Sequence, residues 1–96
     1  MGGRQVSVRV RIPSQLRTLT GGAGEVSAEG TTVREVLKAL EAEHPGIAGR
    51  VLDERGSLRR FVNLFVADED VRFLDGLDTA VAGGQTLSIV PAVAGG

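Results

Sequence analysis

Cysteine is absent from the 96-residue chain, and with it every disulfide framework, thiolate metal site, iron–sulfur cluster and cysteine nucleophile. Tryptophan and tyrosine are absent too, and three phenylalanines leave few rings on which nucleic-acid bases could stack. No excess of positive charge exists: eleven Lys and Arg stand against twelve Asp and Glu, a formal net charge of -1. The long-range positive field on which nucleic-acid binding depends is missing, so DNA and RNA are not expected partners. No apolar run approaches the roughly 18 residues of a membrane span, and Met1-Gly2-Gly3-Arg4-Gln5 lacks the apolar stretch of a secretory signal. Myristoylation at Gly2 would want Ser or Thr where Val6 stands. A cytoplasmic protein with no membrane partner is the expectation. With 42% apolar and 24% charged residues, the chain has the composition of one compact domain with an aliphatic core.

Val6, Val8, Val10 and Ile12 alternate with Ser7, Arg9 and Arg11, the period-two pattern of a strand with one buried face, which Pro13 stops. After a loop containing Gly21-Gly22-Ala23-Gly24, the segment Glu25 to Ala28 returns as a second strand. Thr32 with Glu35 matches a capping box, and Val33, Val36, Leu37 and Leu40 follow at helical spacing. This helix runs to about Glu43, where His44-Pro45-Gly46 breaks it; Ile47, Val51 and Leu52 allow one further turn. From Phe61 to Val66 every residue but Asn63 is apolar, as in a strand with apolar contacts on both faces. Ala67 to Asp70 reads as a hairpin loop and Val71 to Phe73 as a short return strand. Leu77 and Val81 anchor an irregular segment or single helical turn, and Thr86 to Val90 forms the last strand with Leu87 and Ile89 facing the core. The order strand, strand, helix, strand, strand, strand predicts an α+β fold of the β-grasp (ubiquitin-like) type. It has a mixed sheet of about five strands with one main helix across one face. A ferredoxin-like sandwich fits less well because only one long helix is found. The expected division is a single domain over residues 1–90 and a flexible tail over 91–96.

Catalytic equipment is sparse. The single histidine, His44, sits at a helix end before proline and reads as a capping residue, and no metal-ligand set exists around it. Asp68-Glu69-Asp70 lacks the ligand spacing of a calcium loop and reads as a solvated hairpin tip. Gly22-Ala23-Gly24 has Ser27 at the third position of a dinucleotide fingerprint and leads to a strand, not a helix. If Val62, Leu64 and Val66 face the helix, Phe61 and Phe65 lie on the uncovered face near Arg9 and Arg11, a candidate partner surface. In a shifted register the phenylalanines are core instead.

Pro91-Ala92-Val93-Ala94-Gly95-Gly96 is a proline and a small-residue segment ending in two glycines. On a β-grasp body this pattern resembles the ubiquitin-like sulfur carrier proteins of the ThiS/MoaD family. The likeness is closest in Arg60-Phe61-Val62-Asn63, Asp68-Glu69-Asp70-Val71-Arg72-Phe73 and Pro91 to Gly96, and points to the CysO-type branch, which delivers sulfide for cysteine synthesis. Ala67 in place of a common Asn, and Ala82-Gly83-Gly84-Gln85 in place of an acidic turn, depart from the pattern. The resemblance implies a protein cosubstrate and not an enzyme. An E1-like enzyme would adenylate the Gly96 carboxylate with ATP, and a sulfur donor would convert it to a thiocarboxylate. Residues Pro91, Ala92, Val93, Ala94, Gly95 and Gly96 would enter partner active sites, where the glycines pass a narrow channel and Pro91 stiffens the root. Implied acceptors are a pyridoxal-phosphate-dependent cysteine synthase, or a thiazole or thiosugar synthase, with a metallopeptidase for release. No cofactor would be bound by this chain itself. The alternatives are a MoaD-type small subunit of molybdopterin synthase and a ubiquitin-like protein modifier.

Overall fold

The computed structural model describes residues 7–91, so Val6 and the segment from Ala92 to Gly96 lie outside the described residues. The alternating segment forms β1 (Ser7–Arg11), with Val8 and Val10 fully buried and Ser7, Arg9 and Arg11 exposed. It pairs antiparallel with β2 (Glu25–Glu29), Ser7 opposite Glu29 and Arg11 opposite Glu25. The connection expected to be a loop contains a 3-10 helix over Ser14–Thr20 that buries Leu16 and Thr20. Pro13 caps its start at φ -67°, and the Thr20 hydroxyl donates to the Ala23 carbonyl at 2.8 Å.

The next segment is α1 (Val33–Glu43), whose stripe Val33, Val36, Leu37 and Leu40 is buried. Thr32 Oγ1 accepts from the Glu35 N–H at 3.2 Å, while the Glu35 carboxylate accepts from the Thr31 N–H and hydroxyl, both at 2.8 Å. This is a capping box whose return arm reaches one residue further back, and such a cap contributes about 1 kcal/mol. At the other end the His44 N–H donates to the Leu40 carbonyl at 2.7 Å. Gly46, at φ +102°, then redirects the chain into α2 (Ile47–Val51), a conformation that a Cβ would strain. Glu41 ties the two helices together by accepting from the Gly46 and Ala48 N–H groups, both at 2.9 Å.

Three further strands, β3 (Val62–Val66), β4 (Glu69–Asp70) and β5 (Thr86–Pro91), complete a sheet of order β2-β1-β5-β3-β4. The central pair β1–β5 is parallel and the other pairs are antiparallel. This is the expected β-grasp arrangement. Val8, Val10, Leu64, Val66, Leu87 and Ile89 line the buried face of the sheet beneath the helical stripe. Leu77 and Val81 are buried as anchors on either side of Thr79, behind a 3-10 turn at Gly76–Asp78.

The β3–β4 hairpin is tighter than the sequence suggested. Ala67 and Asp68 alone make the turn, at φ +50° and +73°, and the return strand is Glu69–Asp70. Val71–Phe73, expected as that strand, is instead a 3-10 turn, because the Asp70 carboxylate accepts from the Arg72 N–H at 2.8 Å and bends the chain away. The last strand also runs one residue beyond its expected end, with Pro91 opposite Val62.

Positive φ at both turn positions is the requirement of a type I′ hairpin, which favours Asn-Gly and not Ala-Asp. Relieving left-handed strain gains roughly 1–2 kcal/mol, against roughly 0.5–1 lost to glycine's unfolded-state entropy. Asp68→Gly should therefore raise stability by about 0.5–1 kcal/mol in urea titrations. Acid should act in the opposite direction. The carboxyl pKa is held below its ordinary value in Glu35 by the Thr31 N–H and hydroxyl. The Gly46 and Ala48 N–H groups do the same for Glu41, and the Ser57 N–H chiefly for Asp53. Since each folded-state pKa lies below its unfolded value, the stabilisation is complete above about pH 5 and is lost as pH falls below about 4. Urea midpoints should drop as the pH is lowered from about 5 to below about 4, and Glu41→Gln should make the drop shallower.

Candidate functional site

Three chain segments meet at one end of the sheet. Because β1 and β5 run parallel, Arg11 lies opposite Ser88 and the two strands finish side by side. Strand β3 runs the other way, so its first residue, Val62, stands opposite Pro91. Pro91 leads into Ala92, Val93, Ala94, Gly95 and Gly96, the residues expected to enter partner active sites, which lie outside the described residues. This end of the sheet is therefore the root of that segment. Pro91 has no N–H to give to the ladder, and the Val62 N–H is already donated to the Arg59 carbonyl at 3.1 Å. A shallow concavity of about 520 Å³ adjoins the root, lined by Arg11, Pro13, Arg17, Ser88 and Val90 among others.

The face of the sheet opposite α1 carries the other sequence-derived candidates. Val62, Leu64 and Val66 are buried while Asn63 and Phe65 are half-buried, which settles the register: Phe65 belongs to the open face. One cross-strand row on that face runs Glu25, Arg11, Ser88, Phe65, Asp70. With strands spaced about 4.8 Å apart, the Arg11 and Phe65 backbones are about 10 Å apart across Ser88. Arg9 lies in the neighbouring row between Ser27 and Thr86. Phe61, 60% exposed, immediately precedes Val62 and so flanks the root, and Val90, 42% exposed, stands beside Asn63. Arg9, Arg11 and Phe65 thus share the open face, while Phe61 belongs to the turn that opens β3.

The remaining candidates fall elsewhere. His44 caps α1 on the helical side, and Asp68, Glu69 and Asp70 form the hairpin tip. Among the described residues no group of three or more His, Cys, Asp or Glu is placed to hold a metal ion. The ion pair between Arg34 and Asp78, at 3.3 Å, is largely exposed and far from the open-face arginines in the fold.

Two residues at the root were not singled out by periodicity or motif spacing. The Arg72 guanidinium donates to Asn63 Oδ1 at 2.6 Å, to the Arg59 carbonyl at 2.7 Å and to the Arg60 carbonyl at 3.4 Å. The available signal was Asn63 itself, the one polar side chain in the apolar run of β3, which asks for a hydrogen-bond partner.

A mixed β-grasp sheet whose central strand leads into a small-residue segment defines the ubiquitin-like class of protein. Within it the chain belongs to the ThiS family, whose family model matches residues 10–96. It is 52% identical over 93 residues to the sulfur carrier protein CysO of Mycobacterium tuberculosis, covering 95% of this chain and 100% of that one. It is 41% identical over 68 residues to small archaeal modifier protein 3 of Haloferax volcanii, covering 71% and 73% of the two chains. Among solved structures, a chain of the Amycolatopsis orientalis BexX/CysO complex superposes with a TM-score of 0.88 at 52% identity, covering 93% of this chain and 99% of that one. No helix among the described residues is long and apolar enough to cross a membrane.

The two phenylalanines should separate in stability measurements. Phe61→Ala should change stability by less than about 0.5 kcal/mol, while Phe65→Ala, which loses cross-strand packing, should cost about 1 kcal/mol by thermal melting.

Proposed function

We propose that this chain is a sulfur carrier, a protein cosubstrate and not an enzyme. The observation that carries the reading is the family match, which continues from the body through Pro91 to Gly95 and Gly96. In the proposed cycle an E1-like enzyme joins the Gly96 carboxylate to AMP from ATP, with release of pyrophosphate. Sulfide then attacks the acyl carbon and AMP leaves, so that a C–S bond replaces the C–O bond and a thiocarboxylate is formed. The thiocarboxylate is the cargo. Its acceptor, on this reading, is a cysteine-forming synthase that brings its own pyridoxal phosphate, and a metallopeptidase releases the product. The identity to CysO across nearly the whole chain supports that acceptor over a thiazole or thiosugar synthase.

Each part of the chain has a distinct task in this cycle. Ala92, Val93 and Ala94 offer compact side chains to the walls of a partner's channel. Gly95 and Gly96 add no Cβ where that channel is narrowest. Pro91 restricts the backbone at the root and lowers the ordering cost of entry. The uncovered sheet face, with Arg9, Arg11, Phe65 and the neighbouring Phe61, is the surface proposed to rest on the activating enzyme. Aromatic and arginine side chains are the types that carry binding energy at such contacts.

Mass spectrometry tests the reading. Incubation with an activating enzyme, ATP and sulfide should make the protein about 16 Da heavier, as one oxygen of Gly96 is exchanged for sulfur. An unchanged mass, with an enzyme that loads another carrier under the same conditions, would refute it. A ladder of larger covalent conjugates would indicate a protein modifier instead.

A further inference from the structure

The hold of the sheet on β5 is released in steps toward Pro91. Pairing with β1 ends opposite Ser88, while pairing with β3 continues to Pro91. Along β3 the Ala67 N–H donates to the Thr86 carbonyl, and hydrogen-bonded pairs alternate in an antiparallel ladder. The bonded pairs are therefore Phe65 with Ser88 and Asn63 with Val90, and Val62 with Pro91 is unbonded. Asn63–Val90 is thus the last bonded rung among the described residues. It is also where Arg72 acts. One guanidinium reaches the Asn63 side chain, the Arg59 carbonyl and the Arg60 carbonyl, spanning the segment that enters β3. The Arg72 backbone is held in turn by the Asp70 carboxylate on β4. A planar fork suits this task, because it can satisfy several fixed oxygens at once.

We infer that Arg72 is a positioning residue for the carrier reaction: it fixes the last described β3–β5 rung, and so the base of the strand that carries residues 92–96 to the activating enzyme. The inference rests on the carrier reading above. A loosened rung would let Val90 and Pro91 sample more conformations, and the activating enzyme would have to order them on binding. The effect should then fall on the carrier's KM and spare the chemical step.

Two readouts on Arg72→Met test it. In amide hydrogen exchange by NMR, the Asn63 and Val90 N–H groups should exchange about tenfold faster than in wild type, while Phe65 and Ser88, one bonded rung inward, stay unchanged. In loading by the activating enzyme with ATP and sulfide, the KM for the carrier should rise about fivefold with kcat within about twofold of wild type. Unchanged Val90 exchange, equal acceleration at Ser88, or unchanged KM in a wild type that loads normally would each overturn the positioning role alone. Wild-type protein that is not loaded at all would overturn the carrier reading, and the role with it.

Discussion

The insertion of β5 between β1 and β3 in a single register is the constraint from which the rest of the molecule follows. Leu87 lies opposite Val10 on one side and Val66 on the other, and Val10 lies opposite Val26 in β2. Leu87 and Val10 are fully buried, and a buried aliphatic side chain of this size contributes about 1.5–3 kcal/mol. Sliding β5 by one residue would turn Thr86 and Ser88 under α1 and expose Leu87 and Ile89, forfeiting that burial along the whole strand. Once the register is set, the open face has no freedom left. Ser88 must stand between Arg11 and Phe65, Val90 beside Asn63, and Pro91 beside Val62. The arrangement of the candidate partner surface and of the tail root is a by-product of core packing.

How much of this was legible in the sequence depended on how local the cause was. Alternation in β1 and the i, i+3, i+4, i+7 stripe of α1 are single-element patterns driven by burial, and both were readable directly. The β-grasp followed from element order. The Ser14–Thr20 3-10 helix was not readable, since its two buried residues, Leu16 and Thr20, make no helical or strand period. The hairpin was mis-measured because Ala67 and Asp68 are not the residues expected at positive φ, so the usual turn signal was absent. The strand-like Val71–Phe73 was overruled by one side chain, Asp70, whose cap on Arg72 outweighs β propensity in so short a segment. The placement of Arg9, Arg11 and Phe65 on the open face was readable because alternation alone sorts faces. The Arg72 clamp joins residues distant in sequence through backbone carbonyls, and no spacing encodes that.

The two faces of the sheet have separate duties. One is closed by α1, α2 and the connections, and its aliphatic side chains leave no buried side-chain nitrogen or oxygen without a partner among the described residues. The other keeps polar rows of mixed sign, in which Glu25 and Asp68 line the same depression as Arg9 and Arg11. A surface of that kind gives orientation and selectivity against wrong partners more than raw affinity. Phe61, the exposed aromatic just before β3, stands at the root end of this face.

The position of β5 in the sheet also bears on how firmly the strand leading into residues 92–96 is held, compared with an edge strand. Edge strands fray, and here both edges are blunted: β2 exposes Glu25 and Glu29, and β4 has only two residues. A segment leaving from either would inherit the motion of its weakly held base. From the centre it inherits the stability of the core instead, because opening β5 requires separating it from β1 and β3 together. At Pro91 the strand reaches a residue with no N–H to give, while Leu87 and Ile89 further back on the same strand stay buried. The hold on the strand narrows along the span from Ser88 to Pro91, since pairing with β1 ends opposite Ser88 and pairing with β3 alone continues to Pro91.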